Sequence, residues 1–416
     1  MPDEGITMEE NRTKHRFGAG FIAGLCIGLT VAVIVGAIFS MRLRDYNDPT
    51  GALDAAAAQK LSLISSIIDK NFYNYTEDEL TVEDKRDGMY RGLMDSLGDR
   101  YADYFTAEEL RELMIDNEGV YFGIGAYISF DEELNYPYLT GIMEGTPAEK
   151  AGLRSGDVLV EIDGTSAYGM TSSDAASIVR GDEGTVVHLT IYRDGEDDYL
   201  GFDVTRGKVA STTVVSEMKE DDIAYIRIVE FDLTTVEQFT KAYTEVRNSG
   251  AKALILDLRG NTGGLVYSVE EIGRQILPEG VIYYKENSSG EREEHYCDGS
   301  HEIDIPLIVL INGMSASASE ILSGAIRDYG IGTLLGTKTY GKGIVQNTIK
   351  LSDGSAVKMT TGAYFLPKGI NIQGTGIEPD IEVEFDPDAY YDEGFDNQLD
   401  AAIKEIKKMI GQQGNE

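Results

Sequence analysis

Hydrophobic and polar positions change their spacing several times along the chain, and each change predicts a different element. Residues 17–41 read FGAGFIAGLCIGLTVAVIVGAIFSM and carry no charged side chain. A helix of that length would extend over roughly 37 Å, and the hydrocarbon core of a membrane is about 30 Å thick. The segment is longer than the apolar part of a typical signal peptide, and no clear A-x-A cleavage site follows it. We therefore expect an uncleaved transmembrane anchor at 17–41.

The charges around this segment predict its orientation. Lys and Arg occupy three positions within residues 11–16 and two positions within residues 42–44. Because cytoplasmic flanks collect Lys and Arg, we expect the short N-terminus inside the cell and the large body outside its membrane. Gly20, Gly24 and Gly28 form a small-xxx-small ridge of the kind that pairs membrane helices. The ridge does not decide whether the protein is a homodimer or a monomer.

The body of the chain has a helical part, a β-rich part and an α/β part. From residue 61 to about 117, apolar residues recur every three or four positions, which predicts helices that are interrupted at Leu97-Gly98-Asp99. From Gly119 the glycine-punctuated run GVYFGIGAYISF opens a compact β-rich module. After about Lys208, the apolar runs IAYIRIVEF, KALILDL and IPLIVLIN alternate with helical patterns. This alternation predicts a mostly parallel sheet, with chemistry at the strand ends.

Composition excludes several classes of function. The 416 residues have room for two or three domains, and a formal net charge of -36 disfavours nucleic acid and anionic lipid as partners. The two cysteines lie far apart in sequence and the four histidines form no HExxH or Cys/His pattern. We therefore predict neither a metal ion nor a cofactor.

The serine-rich run NGMSASASEILSGA at 312–325 is the first candidate for chemistry. Ser317 and Glu320 fit the S-x-x-E capping box, in which the hydroxyl only satisfies a backbone N–H at the start of a helix. A serine nucleophile would need a base instead, and no histidine stands in a recognisable triad motif. Taken alone, the segment leaves the structural and the catalytic interpretation open.

A lysine could supply the base if it were neutral near pH 7. Lowering a lysine pKa from about 10.4 to near 7 requires about 4.6 kcal/mol, which calls for burial without a carboxylate partner. Lys342 fits, because Gly341 and Gly343 flank it and no acidic residue lies within seven positions. Lys338 is the rival candidate, but no glycines flank it. For both lysines the alternative is that the side chain is charged and solvated at the surface.

Several motifs occur together in one order. They are SLGDRYADYF, YFGIGAYI, LDLRGNTGG, SASASEILSGAIRDYG, GTKTYGKGIVQ and GINIQGTGIEPDIEV, and GTPAEKAGLRSGDVLVEIDG is similar to a PDZ domain. In this combination the chain resembles the C-terminal processing peptidases, or tail-specific proteases, from about residue 61 to 383. The resemblance implies Ser317 as nucleophile, Lys342 as base and Gln346 as the residue that orients the lysine. In a straight strand Lys342 and Gln346 would be about 13 Å apart, so the chain has to coil between them.

An oxyanion hole should use backbone N–H groups, which point rigidly at the developing charge. Ala318, directly after the proposed nucleophile, is one expected donor. The second is Gly263 or Gly264, whose missing side chains permit a close approach. We favour Gly263.

PDZ domains add an extended peptide to a sheet edge and hold its terminal carboxylate with backbone N–H groups. By resemblance this carboxylate loop is formed by Phe122, Gly123, Ile124 and Gly125. Arg180 follows a predicted helix next to the acidic Asp182-Glu183 turn. It either couples the PDZ module to the protease body or is a solvated arginine with a weak salt bridge.

The predicted fold class is an α/β crotonase/ClpP-like protease core with an inserted β-rich PDZ domain, an N-terminal helical segment and one transmembrane helix. The predicted function is a membrane-anchored serine endopeptidase that recognises proteins with free, apolar C-termini and cleaves near them. A catalytically inactive, membrane-anchored PDZ scaffold is the alternative, and a crotonase-like acyl-transfer enzyme is a third option.

The predicted divisions are a cytoplasmic N-terminus at 1–16, the anchor at 17–41, a stalk and helical part at 42–117, the PDZ domain at 118–207, the peptidase core at 208–386 and an acidic tail with a helix at 387–416.

Overall fold

The computed structural model describes residues 53–73 and 80–413. The chain divides into two compact units, residues 1–89 and residues 90–416. In the first unit, helix α1 (Ala55–Asn71) begins at Asp54, whose carboxylate accepts the N–H of Ala57 at 2.7 Å. Such an N-cap satisfies a backbone donor that the helix itself leaves unpaired. Helix α2 (Val82–Asp95) begins in the first unit and ends in the second.

The predicted fold class needs one correction, which concerns the membrane span. Among the helices in residues 53–73 and 80–413, none is long and apolar enough to cross a membrane. Helix α1, for example, has 17 residues and carries Lys60, Asp69 and Lys70. The transmembrane helix predicted at 17–41 lies outside the described residues. The fold that the structure supports is therefore the mixed α/β core with its β-rich module and helices, without that span.

The β-rich module follows strand β1 (Asp103–Phe105) and helix α3 (Ala107–Glu118). Its elements are β2 (Val120–Gly123), β3 (Ala126–Asp131), β4 (Tyr136–Ile142), α4 (Pro147–Ala151), β5 (Val158–Ile162), β6 (Thr165–Ser166), α5 (Ser172–Val179), β7 (Val186–Tyr192), β8 (Leu200–Thr205) and β9 (Gly207–Ala210). The main sheet has the order β3-β4-β5-β7-β8, so β3 is an edge strand. Strands β2 and β9 pair where the chain enters and leaves the module.

The α/β core contains most of the remaining elements. They are β10 (Val214–Lys219), a 3-10 turn (Glu220–Asp222), β11 (Ile223–Ile228), α6 (Thr235–Asn248), β12 (Ala253–Asp257), α7 (Val266–Gly273), β13 (Gly280–Asn287), β14 (Arg292–Cys297), β15 (Leu307–Ile311), α8 (Ala318–Tyr329), β16 (Thr333–Gly336), β17 (Ile344–Lys350), β18 (Ala356–Phe365), β19 (Ile381–Glu382), α9 (Pro387–Glu393) and α10 (Asn397–Gln413).

The central sheet has the order β10-β11-β12-β15-β16-β19. All its neighbouring pairs are parallel except the antiparallel pair β10–β11, so the predicted mostly parallel core is confirmed. Every residue of β12 and β15 is buried, as expected for strands covered on both faces. The loops that leave the carboxyl ends of these two strands carry the GNTGG turn and the serine-rich run. Parallel strands thus bring both segments to one edge of the sheet.

The C-terminal helix contributes to the core. Ala402 and Ile406 of α10 are fully buried and pack in one cluster with residues of β11, β12 and β15. Arg259, in the turn after β12, bonds Asp257 at 2.6 Å and Asp396 at 2.8 Å, immediately before α10 begins. Helix α10 therefore covers one face of the central sheet, and the ion pairs hold its first turn next to the GNTGG turn.

A second, antiparallel sheet brings the N-terminal part of this unit to the site. Strand β18 pairs with β1, β13 and β17, and β13 pairs in turn with β14. The register places Asp103 of β1 opposite Lys358 of β18. The SLGDRYADYF segment is consequently held against the sheet that begins just after Lys342.

Candidate active site

Ser317 lies on a sharp turn between strand β15 and helix α8. Its backbone has φ 55° and ψ -114°, a conformation that L-residues rarely adopt outside functional sites. A strained strand-to-helix turn of this kind presents a serine hydroxyl away from the backbone. A Cβ atom added to Gly263 would lie 2.9 Å from Cβ of Ser317. The GNTGG turn can therefore approach the serine this closely only because it carries glycine there.

The other three serines of the run have structural partners. The hydroxyl of Ser315 donates to the carbonyl of Leu258 at 2.8 Å, and that of Ser319 donates to the carbonyl of Asn261 at 2.9 Å. The hydroxyl of Ser323 bonds the carbonyl of Ser319 at 2.8 Å. Among the described residues, the hydroxyl of Ser317 donates to no acceptor and takes part in the capping box only as an acceptor. Of the four serines, Ser317 is thus the one whose hydroxyl proton is not used to hold the turn.

The predicted capping box of Ser317 and Glu320 is present. The carboxylate of Glu320 accepts the N–H of Ser317 at 2.9 Å. In return the N–H of Glu320 bonds the backbone carbonyl of Ser317 at 2.9 Å. A capping box uses the hydroxyl of Ser317 only as an acceptor for the N–H of Glu320. The hydroxyl proton stays available, so helix capping and a chemical role of Ser317 do not compete.

Glu320 also reaches the loop that carries Lys342. Its side chain is fully buried and accepts the N–H of Gly341 at 2.8 Å, the N–H of Lys342 at 2.9 Å and the hydroxyl of Thr339 at 2.6 Å. With the N–H of Ser317 these are four donors, which is the full acceptor capacity of a carboxylate. One buried side chain therefore fixes the backbone of the proposed nucleophile relative to that of the proposed base.

Tyr364 makes a second bridge between the same two residues. Its hydroxyl donates to the carbonyl of Ser317 at 3.2 Å and to the carbonyl of Lys342. The ring is buried, with 2% of its surface exposed. Glu320 thus joins the backbone N–H groups of Ser317 and Lys342, and Tyr364 joins their carbonyl groups.

Lys342 is half-buried and makes no ion pair with any residue that the structure describes. Burial lowers the pKa of Lys342 below its ordinary value, and the neighbouring charges of Lys358 and Arg100 lower it further, whereas Glu320 opposes them. Its Nζ lies 4.7 Å from the ring centroid of Tyr101. Lys338, the rival candidate, is half exposed and pairs with Glu378 at 2.8 Å, as a charged surface lysine does.

Gln346 lies at a β-bulge in strand β17, between Val345 and Gln346. Its amide donates to the hydroxyl of Thr360 at 3.3 Å, and it makes no hydrogen bond with Lys342. The N–H of Thr360 donates to Asp99 at 2.9 Å. The structure thus ties Gln346 to the SLGDRYADYF segment, and its predicted role in orienting the lysine stays a prediction.

The two expected oxyanion donors lie beside Ser317. The N–H of Ala318 belongs to the first turn of α8, so it has no acceptor within the helix. The N–H of Gly263 donates to the side-chain oxygen of Asn261 at 2.8 Å. This N–H is engaged here, so the choice between Gly263 and Gly264 as the second donor stays open.

The predicted carboxylate loop lies at the end of edge strand β3. A cavity of about 280 Å³ opens there, between β3, helix α5 and residues 123–125 of the loop. Its lining is mainly apolar and includes Ile124, Ile128 and Val179. Gly125 has φ 78°, and a Cβ there would lie 2.4 Å from the Thr146 side chain. The loop can therefore adopt this shape only with glycine.

Arg180 ends helix α5 and lines this cavity. Its guanidinium carbon lies 4.9 Å from the ring centroid of Tyr121. Arg180 also lines an adjoining cavity that Arg111 and Glu112 of helix α3 help to form. Its position between the module and α3 is compatible with coupling, which stays a prediction.

Four residues of the site were not singled out by the sequence. Glu320 was visible only as a capping-box acid, and Tyr364 carries no recognisable signal. The SLGDRYADYF motif indicated that its segment matters, but only the fold shows that Tyr101 lies against the lysine and that Asp99 bonds Thr360. A buried acid in a capping box that follows a serine-rich turn is the signal that could have pointed to Glu320.

Comparison with known proteins assigns the family. Residues 222–383 match the model of peptidase family S41, and residues 138–193 match that of the PDZ domain. Carboxy-terminal processing protease CtpA of Bacillus subtilis is 32% identical over 326 residues, which cover 78% of this chain and 68% of that protein. Carboxyl-terminal-processing protease of Synechocystis sp. is 33% identical over 296 residues, which cover 70% and 69%. The chain belongs to the carboxy-terminal processing proteases.

Among solved structures, the photosystem II D1 C-terminal processing protease is 29% identical, with 78% of this chain and 86% of that chain covered at a TM-score of 0.46. Membership of the family confirms the predicted resemblance, the PDZ domain and a serine-type peptidase activity. A carboxy-terminal processing protease is an enzyme, so the inactive scaffold is not supported.

In this protease, replacement of Glu320 by glutamine is expected to impair both stability and activity. The amide keeps one acceptor oxygen and turns its NH₂ group toward donors, so buried N–H groups lose their partner. We expect the free energy of unfolding to fall by about 1–3 kcal/mol and kcat/KM to fall about 10- to 100-fold, because the two proposed catalytic residues lose their alignment. Urea unfolding and peptidase kinetics measure the two effects.

Glu378→Gln is the matched control, because this carboxylate is exposed and pairs only with Lys338. It should change stability by less than about 1 kcal/mol and leave kcat/KM unaltered. A Glu320→Gln enzyme that is destabilised yet fully active would show that the bridge has no part in alignment.

Proposed function

We propose that this protease cleaves proteins near their C-termini, with Ser317 as nucleophile and neutral Lys342 as general base, after the PDZ domain has bound the free tail. The observation that supports it most is the double bridge by Glu320 and Tyr364 between the two residues. A nucleophile and its base have to be held in one geometry to react.

The chemistry follows from these groups. The neutral amine of Lys342 takes the proton of the Ser317 hydroxyl while the oxygen attacks the scissile carbonyl carbon. The resulting oxyanion is stabilised by the N–H of Ala318, at the positive end of helix α8, and by a glycine N–H of the GNTGG turn. The protonated lysine then gives its proton to the leaving amine. Water, deprotonated by Lys342, attacks the acyl carbon. The bond to the serine oxygen then breaks, and that oxygen recovers the proton from the lysine.

The PDZ domain supplies a site for the tail. Strand β3 has an unpaired edge beside helix α5, and an extended peptide can add there as a further strand. The apolar cavity next to Ile124 and Gly125 fits an apolar last side chain. We expect backbone N–H groups of residues 122–125 to hold the terminal carboxylate.

Amidation of a substrate's C-terminus is therefore expected to weaken tail binding. The carboxylamide removes the negative charge that the loop N–H groups meet, and we expect the Kd of a tail peptide to rise about 10- to 100-fold, or about 1.4–2.7 kcal/mol. Fluorescence anisotropy measures the Kd, and intact-mass analysis shows where the tail is cut from a protein with an apolar C-terminus.

The same peptide with an acetylated N-terminus is the control and should bind like the free peptide. Equal affinity for the free acid and the amide would refute recognition of the terminal carboxylate. A location of the catalytic body outside the bacterial cytoplasm and assembly as a homodimer remain predictions.

A further inference from the structure

Two lysines rest on aromatic rings of one segment, residues 99–105, here called the aromatic segment. Nζ of Lys342 lies 4.7 Å from the ring centroid of Tyr101, and Nζ of Lys358 lies 4.9 Å from that of Phe105. The segment is fixed to the sheet, because Asp99 accepts the N–H of Thr360 at 2.9 Å. Both ammonium groups are thus directed to the same short stretch of chain.

Neither lysine has a carboxylate partner in the part of the chain that the structure describes. Within residues 53–73 and 80–413, no ion pair involves Lys342 or Lys358, although acidic residues outnumber basic ones two to one in the sequence. Lys358 is half-buried in strand β18, where solvent screens its charge less than at the surface. After burial, the charge of Lys358 is the largest cause that lowers the pKa of Lys342.

Other charges also act on the pair. Arg100 adds a further positive charge above the ring of Tyr101, at 5.2 Å. Glu320 raises the pKa of Lys342, but its effect is smaller than the lowering effects of Lys358 and of Arg100. Asp103 lies opposite Lys358 in the register of β1 and β18, and its carboxylate is shared with Arg91 at 3.5 Å. The charged and titratable groups placed at the two lysines are thus Arg100, Tyr101 and Asp103 of the aromatic segment, Glu320 of α8 and Tyr364 of β18.

We propose that Lys358 is a positioning residue that acts through Lys342: its ammonium, held on Phe105, disfavours a second positive charge on Lys342 and so keeps the base neutral. Lys358 exchanges no proton and touches no substrate. The inference rests on the proposed role of Lys342 as base. In other enzymes a neighbouring cation activates a catalytic lysine by disfavouring its charged form, and Lys358 would have this effect on Lys342.

The test is the dependence of kcat/KM on pH for Lys358→Gln. Removing a like charge makes the ammonium form of Lys342 more favourable, so its pKa rises and the acidic limb of the profile moves to higher pH. We expect a shift of about 0.5–1 pH unit, with a loss of about 3- to 10-fold below the limb and an unchanged alkaline plateau. Lys358→Arg keeps the charge and should restore the original limb.

Lys338→Gln is the matched control, since it removes one positive charge four residues from Lys342 but at an exposed ion pair. Its profile should equal that of the unmodified enzyme. An unshifted limb in Lys358→Gln overturns the inference. Loss of activity at every pH in both Lys358→Gln and Lys358→Met also overturns it, because activity that is lost for an electrostatic reason would return at alkaline pH.

Lys342→Ala separates this inference from the proposed function. If Lys342→Ala is inactive at every pH and the acidic limb of the Lys358→Gln profile does not move, only the proposed role of Lys358 is wrong. If Lys342→Ala keeps the activity of the unmodified enzyme, the proposed function itself is wrong.

Discussion

Replacement of Ser317 by alanine is expected to abolish proteolysis and leave the fold intact. The N–H of Glu320 that the hydroxyl caps also bonds the backbone carbonyl of Ser317 at 2.9 Å, so removal of the hydroxyl should cost no more than about 1 kcal/mol. Alanine experiences the same strain at φ 55° as serine. Loss of a nucleophile removes the covalent route altogether, and we expect kcat/KM to fall by at least about 10³-fold. Kinetics with a tail-bearing substrate and thermal unfolding of the variant measure the two quantities.

Ser323→Ala is the matched control, because this hydroxyl only bonds the carbonyl one turn earlier in α8. It should retain activity. Ser315→Ala and Ser319→Ala should keep much of the activity, since their hydroxyls bond the carbonyls of Leu258, before the GNTGG turn, and of Asn261, within it, but supply no nucleophile. An equal, complete loss from Ser315→Ala, Ser317→Ala and Ser319→Ala would indicate that packing, not chemistry, explains the run.

The sequence predicts the elements that local pattern determines. The buried runs before GNTGG and before the serine-rich run become β12 and β15, because continuous apolar residues between turns are typical of strands covered on both faces. Their parallel pairing follows from the helices between them. The meeting of Ser317 with the GNTGG turn could therefore be expected from the order of the strands, whereas the strained backbone of Ser317 could not.

The sequence does not predict contacts between segments that are far apart along the chain. Nothing in the spacing of Glu320 shows that it also binds the N–H groups of Gly341 and Lys342, since those bonds depend on how two loops pack. The same holds for Thr360, which links Gln346 to Asp99 across the antiparallel sheet. Helix α10 is a further case, because its amphipathic pattern predicts a helix but does not name the sheet face that it covers.

Replacement of Lys342 by arginine is expected to inactivate the enzyme at every pH. A general base has to be neutral, and a guanidinium stays charged throughout the accessible range. The variant keeps the positive charge and much of the stem that packs on Tyr101, so a role in charge or packing alone would survive it. We expect kcat/KM to fall by at least about 10³-fold, whereas Lys338→Arg, at its exposed pair with Glu378, should remain fully active.

The pH dependence of the unmodified enzyme also tests the assignment of Lys342 as the general base. The folded-state pKa of Lys342 is lowered, chiefly by burial, so the amine is neutral above that pKa and protonated below it. Activity should therefore rise with pH through the lowered pKa, at a pH below the range in which an ordinary lysine titrates. A profile governed by a group near pH 6.5 and removed by His188→Ala would assign the base to a histidine, as would an active Lys342→Arg enzyme with that profile. His188 lies on strand β7 of the PDZ domain and bonds Asp203, which is the position of a surface pair and gives no reason to expect that outcome.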